Sequence, residues 1–131
     1  MDNRLAVSLL VLRVSIFVVM LFWTLHKLLA PEAAAGIFES FYYIEGMSEI
    51  AMYAVGITQL VIEIAFVLGL FRFWTYGFVL LTHGISTLSS WQQYLDPFNN
   101  MLFLAAIPML GACWVLFMLR DQDRLLTLGR P

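Results

Sequence analysis

Residues 5–29 read LAVSLLVLRVSIFVVMLFWTLHKLL, and this stretch decides the fold. A membrane-crossing helix needs roughly 20 predominantly apolar residues. Here the run holds one charge, Arg13, before Lys27 near its end. It is too long for a signal-peptide core and has no small-residue cleavage motif before Trp23, so it reads as a retained first span.

Outward from it the pattern repeats. Further apolar runs cover about residues 50–70, 74–90 and 101–119. In lipid every backbone polar group must be satisfied within its own segment, so these runs predict helices. Phe71-Arg72-Phe73 is a tight turn joining the second and third into a hairpin. Asp96-Pro97-Phe98-Asn99-Asn100 is turn chemistry before the fourth. The segment from Pro31 to Gly46 begins as a good helix N-terminus and mixes small, acidic and aromatic residues; about residues 32–46 predict a short interfacial helix. The expected fold is therefore all-α: a single membrane domain, a four-transmembrane-helix bundle with an interfacial helix between spans one and two.

Composition agrees. The chain has 131 residues, 62% of them hydrophobic and 12% charged, with a mean hydropathy of +0.87. A soluble domain is about a quarter charged, and so few charges could not cover a water-facing surface. The net charge of −2 and the absence of a basic run exclude nucleic acid as a partner. A single cysteine, Cys113, excludes an internal disulfide, a dithiol relay within the chain and a multi-thiolate metal site in one copy. No zinc, phosphate-binding or nucleophile motif is present, so no metal site and no intrinsic cofactor are expected.

Arg4, Arg72, Arg120, Arg124 and Arg130 fall on the N-terminus, the second turn and the tail, while the other loops carry Lys27 against Glu32, Glu39, Glu45 and Asp96. The positive-inside rule then puts both termini in the cytoplasm. The tail beyond Arg120 is too short to be a domain.

Arg13, Glu63 and His83 lie inside spans, where ionisable groups are costly and face protein or water. At 1.5 Å per residue they sit about 12, 10 and 13 Å from the cytoplasmic ends of their helices. That common level predicts an Arg13–Glu63 pair with His83 beside it, structural or functional. Gly56, Gln59 and Glu63 share one helical stripe, as do His83, Ser86 and Ser90. Ala65 and Gly69 form a small-xxx-small pair for close helix approach. The intramembrane polar cluster expected is thus Arg13, Gln59, Glu63 and His83. Cys113 reads as a packing residue. His26 and His83 lie at different depths, which makes them poor joint haem ligands.

A second cluster is expected at the outer face, where His26, Lys27, Glu45, Glu49 and Tyr53 meet beneath the surface helix, with Tyr42, Tyr43, Trp91 and Tyr94 as aromatic walls. It reads either as a mouth for an amphipathic ring such as a quinone headgroup, or as an interfacial belt with a solvated ion pair.

These residues resemble the DoxX family of small four-helix bacterial membrane proteins, over about residues 12–119. The resemblance rests on Arg13, on Phe22-Trp23-Thr24-Leu25-His26-Lys27-Leu28, on Gln59-Leu60-Val61-Ile62-Glu63 and on Gly69-Leu70-Phe71-Arg72. The family's glycine before Lys-Leu is missing, Thr24-Leu25-His26 standing there. The resemblance implies a multi-pass protein of the bacterial inner membrane and a membrane subunit or accessory protein of a quinone-linked redox system. It implies quinone as the ligand and a protein partner supplying the electron carrier, rather than a stand-alone enzyme. Lys27 and Glu49 would orient the ring, and Glu63 and His83 would handle protons. Two further readings stay open: a non-catalytic assembly or chaperone-like protein, and a small transporter, for which four helices are few unless a homo-oligomer forms.

Overall fold

The computed structural model describes residues 3–42 and 49–128. Within them the chain is helical: α1 Asn3–Leu29, α2 Pro31–Tyr42, α3 Glu49–Val67, α4 Arg72–Ser89, the single turn α5 Trp91–Tyr94, and α6 Ala106–Met118. Short 3₁₀ turns at Pro97–Asn99 and Met101–Ala105 lead into α6, and another at Arg120–Gln122 follows it. Three segments are long and apolar enough to cross a membrane: Asn3–Leu29, Ile50–Val67 and Met101–Met118.

α1, α3, α4 and α6 pack side by side, with α1 against α3 and α6, and α4 against α3 and α6. The core between them is made by Leu9, Ile16, Met20, Phe66, Tyr76, Val79, Cys113 and Leu116. α1 buries Ala6, Leu9, Arg13, Ile16, Met20 and Thr24, one residue every turn along one stripe, and leaves Val7, Val11, Val14, Val18 and Phe22 outside. Apart from Arg13 and Thr24, both sides are apolar, as a helix with a lipid-facing side requires. α4 is arranged the other way. Its buried side carries Arg72, Thr75, Tyr76, His83 and Thr87, and its exposed side Phe73, Trp74, Leu81, Ile85 and Leu88. Its hydroxyls are satisfied by the preceding turn: Thr82 donates to the Phe78 carbonyl at 2.8 Å and Thr87 to the His83 carbonyl at 2.7 Å.

The α3–α4 turn is tight because two residues adopt left-handed backbone, Gly69 at φ 71° and Phe71 at φ 49°. Gly69 lies beyond the end of α3, so it is not a helix-packing residue as the Ala65–Gly69 pairing predicted. Its missing side chain admits the C-terminal tail: a Cβ there would lie 2.6 Å from Thr127 Cγ2. Gly56 does sit at a close helix approach, since a Cβ would lie 2.8 Å from Leu28 Cδ2 on α1.

The tail is the main departure from expectation. Residues 119–128 fold back across the end of the bundle where α1 begins. Leu128 donates its N–H to the Leu68 carbonyl at 2.8 Å. Arg72 donates to the carbonyls of Gly69 and Arg120 at 3.2 and 3.1 Å and to Thr127 Oγ1 at 3.0 Å. Arg13 donates to Asp123 Oδ1 at 2.6 Å and to the Leu125 and Leu126 carbonyls at 2.6 and 3.2 Å. Tyr76 donates to Asp123 Oδ2 at 2.6 Å. Too short to be a domain, the tail is nevertheless part of the fold.

Candidate functional site

The expected Arg13–Glu63 pair does not form. Arg13 is taken by Asp123, and Glu63 is held further along α1 by Thr24, whose hydroxyl lies 2.8 Å from both carboxylate oxygens. Thr24 is about 16 Å beyond Arg13 along the helix at 1.5 Å per residue. The depth estimate assumed that the helix ends lie flush. Instead α1 extends past the α3–α4 turn, and the tail fills the space between.

The other three members of the cluster do come together. Thr24 and Lys27 on α1, Gln59 and Glu63 on α3, and His83 and Ser86 on α4 line one small chamber of about 50 Å³. The pairs are spaced three or four residues apart, so each helix presents one face to it. Glu63 and His83 are each 1% exposed. Lys27 acts electrostatically on the Glu63 carboxylate. It therefore lines this chamber.

His83 is fixed on two sides. Its Nε2 lies 3.0 Å from the Ala106 carbonyl on α6, and its ring stacks on Trp23 with centroids 5.8 Å apart. A carbonyl only accepts, so Nε2 carries the hydrogen and Nδ1 of the neutral ring is a bare acceptor. That Nδ1, and the Gln59 carboxamide oxygen, are buried and have no hydrogen-bond partner among the described residues.

Beside the chamber runs a larger apolar groove of about 660 Å³ between α1, α4 and the start of α6. Ile16, Val19, Phe103, Pro108 and Met109 form its walls, and Trp23 and Ser86 line both groove and chamber. Ala106, which accepts from His83, also lines the groove. The groove and the chamber thus share a wall at Trp23 and Ser86.

His26, Tyr53 and Trp91 are all exposed, the last two by 40% and 52%. Tyr42 and Glu49 belong to α2 and α3, but their side chains lie outside the described residues, as do Tyr43 and Glu45. Sequence reading missed Thr24 and Asp123. Thr24 is a neutral hydroxyl in an apolar run, which gives no signal of its own. Asp123 carried a usable one: a buried arginine needs an anion, and the tail offers Asp121 and Asp123.

Among the described residues no group of three or more His, Cys, Asp or Glu side chains could hold a metal ion. The chain matches no protein-family model, no curated protein and no solved structure.

Proposed function

We propose that this chain is an integral protein of the bacterial inner membrane, resembling the DoxX family, and a membrane subunit or accessory protein of a quinone-linked redox system. In this reading α4 is the third of four spans, in addition to the three apolar segments. Its apolar exposed side meets lipid, and its polar residues, which lower its mean hydropathy, are inside. α2 lies at the interface on the outer side. The exposed Arg4 and Arg124 mark the cytoplasmic end, where both termini lie.

The observation that supports a ligand-handling role is the chamber itself. A carboxylate buried to 1% exposure is kept beside a histidine and a lysine, next to an apolar groove. Such groups within a span are costly to maintain and are read first as a functional site. The single cysteine leaves no dithiol carrier within one chain, and in this reading the electron carrier comes from a protein partner.

Crosslinking in native membranes followed by mild purification tests this. Co-purification of a redox protein together with bound quinone is expected; a protein recovered with neither counts against the redox reading. A second reading, an assembly protein whose polar groups only shape the bundle, is favoured by the tail, since both buried arginines serve to fasten it. Glu63→Gln separates the two readings: it abolishes folding if the chamber is structural, and leaves a folded protein without quinone-dependent turnover if it is not.

A further inference from the structure

We infer that the chamber and groove together form a laterally entered binding site selective for an apolar-tailed molecule whose head donates a hydrogen bond, so that a hydroquinone is preferred over the corresponding quinone. The inference rests on the bilayer reading above and deepens it by naming the redox form bound.

The groups left without partners decide the selectivity. His83 Nδ1 belongs to a side chain 1% exposed and lines the chamber, and it is an acceptor because Nε2–H is committed to the Ala106 carbonyl. The Gln59 oxygen is a second acceptor. Glu63 already accepts from Thr24 and has further acceptor capacity. A quinone presents only carbonyl oxygens to these atoms and would set acceptor against acceptor, since the donors that line the chamber are engaged elsewhere, Thr24 and Lys27 by Glu63 and Thr82 by the Phe78 carbonyl. A hydroquinone presents hydroxyl hydrogens. Leaving a buried acceptor unmatched costs far more than the net gain of an ordinary hydrogen bond, which makes such sites discriminating.

Size and shape agree. A chamber of about 50 Å³ admits a hydroxyl group but not a ring, whereas the groove of about 660 Å³ has room for a ring and tail. Trp23 lies at the junction and offers an aromatic face, and Ser86 is shared by both spaces. The ring would therefore lie in the groove against Trp23, with one hydroxyl turned past Ser86 toward His83.

The test uses the full chain in phosphatidylcholine nanodiscs, labelled with ¹⁵N-histidine and carrying His26→Gln, so that His83 gives the sole imidazole signal. A decyl-substituted hydroquinone, its quinone and dodecan-1-ol are titrated separately under argon. Saturable movement of the Nδ1 resonance by the hydroquinone is expected, at about tenfold lower concentration than for the quinone, the equivalent of one hydrogen bond. Equal or tighter quinone binding overturns the inference but leaves the quinone-linked reading standing. No movement with any ligand also overturns it. If dodecan-1-ol matches the hydroquinone, the donor-selective site is upheld, and the redox reading loses this support. Ser86→Phe, which fills the junction, should abolish the movement; Ala112→Phe on the groove wall gives the same reading if Ser86→Phe fails to fold. A shift that survives blockage of the groove overturns lateral entry.

Discussion

Arg13 Nη1 and Asp123 Oδ1 are 110 residues apart in the chain and 2.6 Å apart in the bundle. Their side chains are 1% and 0% exposed, and this ion pair closes the chain on itself. Asp123 is completed by the Tyr76 hydroxyl, and Arg13 by two tail carbonyls. One of these carbonyls belongs to Leu126, which is held at φ 51°. A non-glycine residue there costs of order 1–3 kcal/mol and persists only when its surroundings over-determine it. Arg13 is a large part of those surroundings.

Removing either partner strands the other charge in the interior. Asp123→Ala and Arg13→Met should each destabilise the protein by about 3–5 kcal/mol. The double variant Arg13→Met with Asp123→Leu should cost less than either alone, because it leaves no unpaired charge. Thermal unfolding in detergent, run as a double-mutant cycle, measures this. A double variant as unstable as the sum of the singles would show that the pair contributes nothing through its pairing.

Gly69 offers an independent check on the tail. A side chain there meets Thr127 and also forces a φ of 71° on a residue with a Cβ. Gly69→Ala should lower the melting temperature and expose the tail to limited proteolysis. Thr127→Gly in the same chain should restore only part of the loss, since it removes the clash and not the backbone strain. Full restoration would mean that the left-handed turn contributes no strain.

How much of this could be read in advance follows from range. Hydropathy is local, so the long apolar runs, the turn at Phe71 and the break at Pro97 were legible. Gln59, Glu63 and His83 were also legible as a group, because helical spacing puts each on an inward face. The partner of Arg13 was not. Which carboxylate reaches a buried guanidinium depends on how far one helix slides past another, and nothing along a single helix encodes that. Aligning the helix ends favoured Glu63; the overhang of α1 and the returning tail bring Asp123 there instead. Thr24 was hidden for a different reason, since a threonine carries no charge to mark it until its hydroxyl is seen facing Glu63.

The Thr24 hydroxyl donates to the Glu63 carboxyl group, 2.8 Å from both of its oxygens. Thr24→Val keeps the shape and removes the donor. It should cost about 1–3 kcal/mol, the range for leaving a buried acceptor unsatisfied, whereas Thr24→Ser should cost under half as much. Chemical or thermal unfolding of the purified variants decides it. A larger loss with serine than with valine would assign the contribution to the methyl contact rather than to the bond.

Cys113 is 2% exposed within the core formed by α1, α4 and α6. Being the sole cysteine, it reports core opening without interference. In the folded protein it should resist maleimide, and it should react fully once the bundle is unfolded in detergent, as read by intact mass. In Asp123→Ala it should become reactive at a lower temperature than in the parent chain, because loss of the tail pair loosens the same helices. Rapid native labelling would contradict the burial.

The membrane crossing of α4 is tested by the same chemistry in the reverse sense. α4 buries its polar side and exposes Phe73, Trp74, Leu81, Ile85 and Leu88. A helix of that pattern can sit in lipid although its average hydropathy is modest, because the average counts residues that lipid never meets. If α4 crosses, the turn holding Asn99 lies on the opposite side of the membrane from Arg4 and Arg124. In a Cys113→Ala background, a cysteine at exposed Asn99 should be labelled by a membrane-impermeant maleimide added to spheroplasts. Cysteines at Arg4 or Arg124 should be labelled only after the membrane is broken. Labelling of Asn99→Cys and Arg4→Cys from the same side, with Arg124→Cys on the other, would mean that α4 does not cross, and the four-span topology would have to be abandoned.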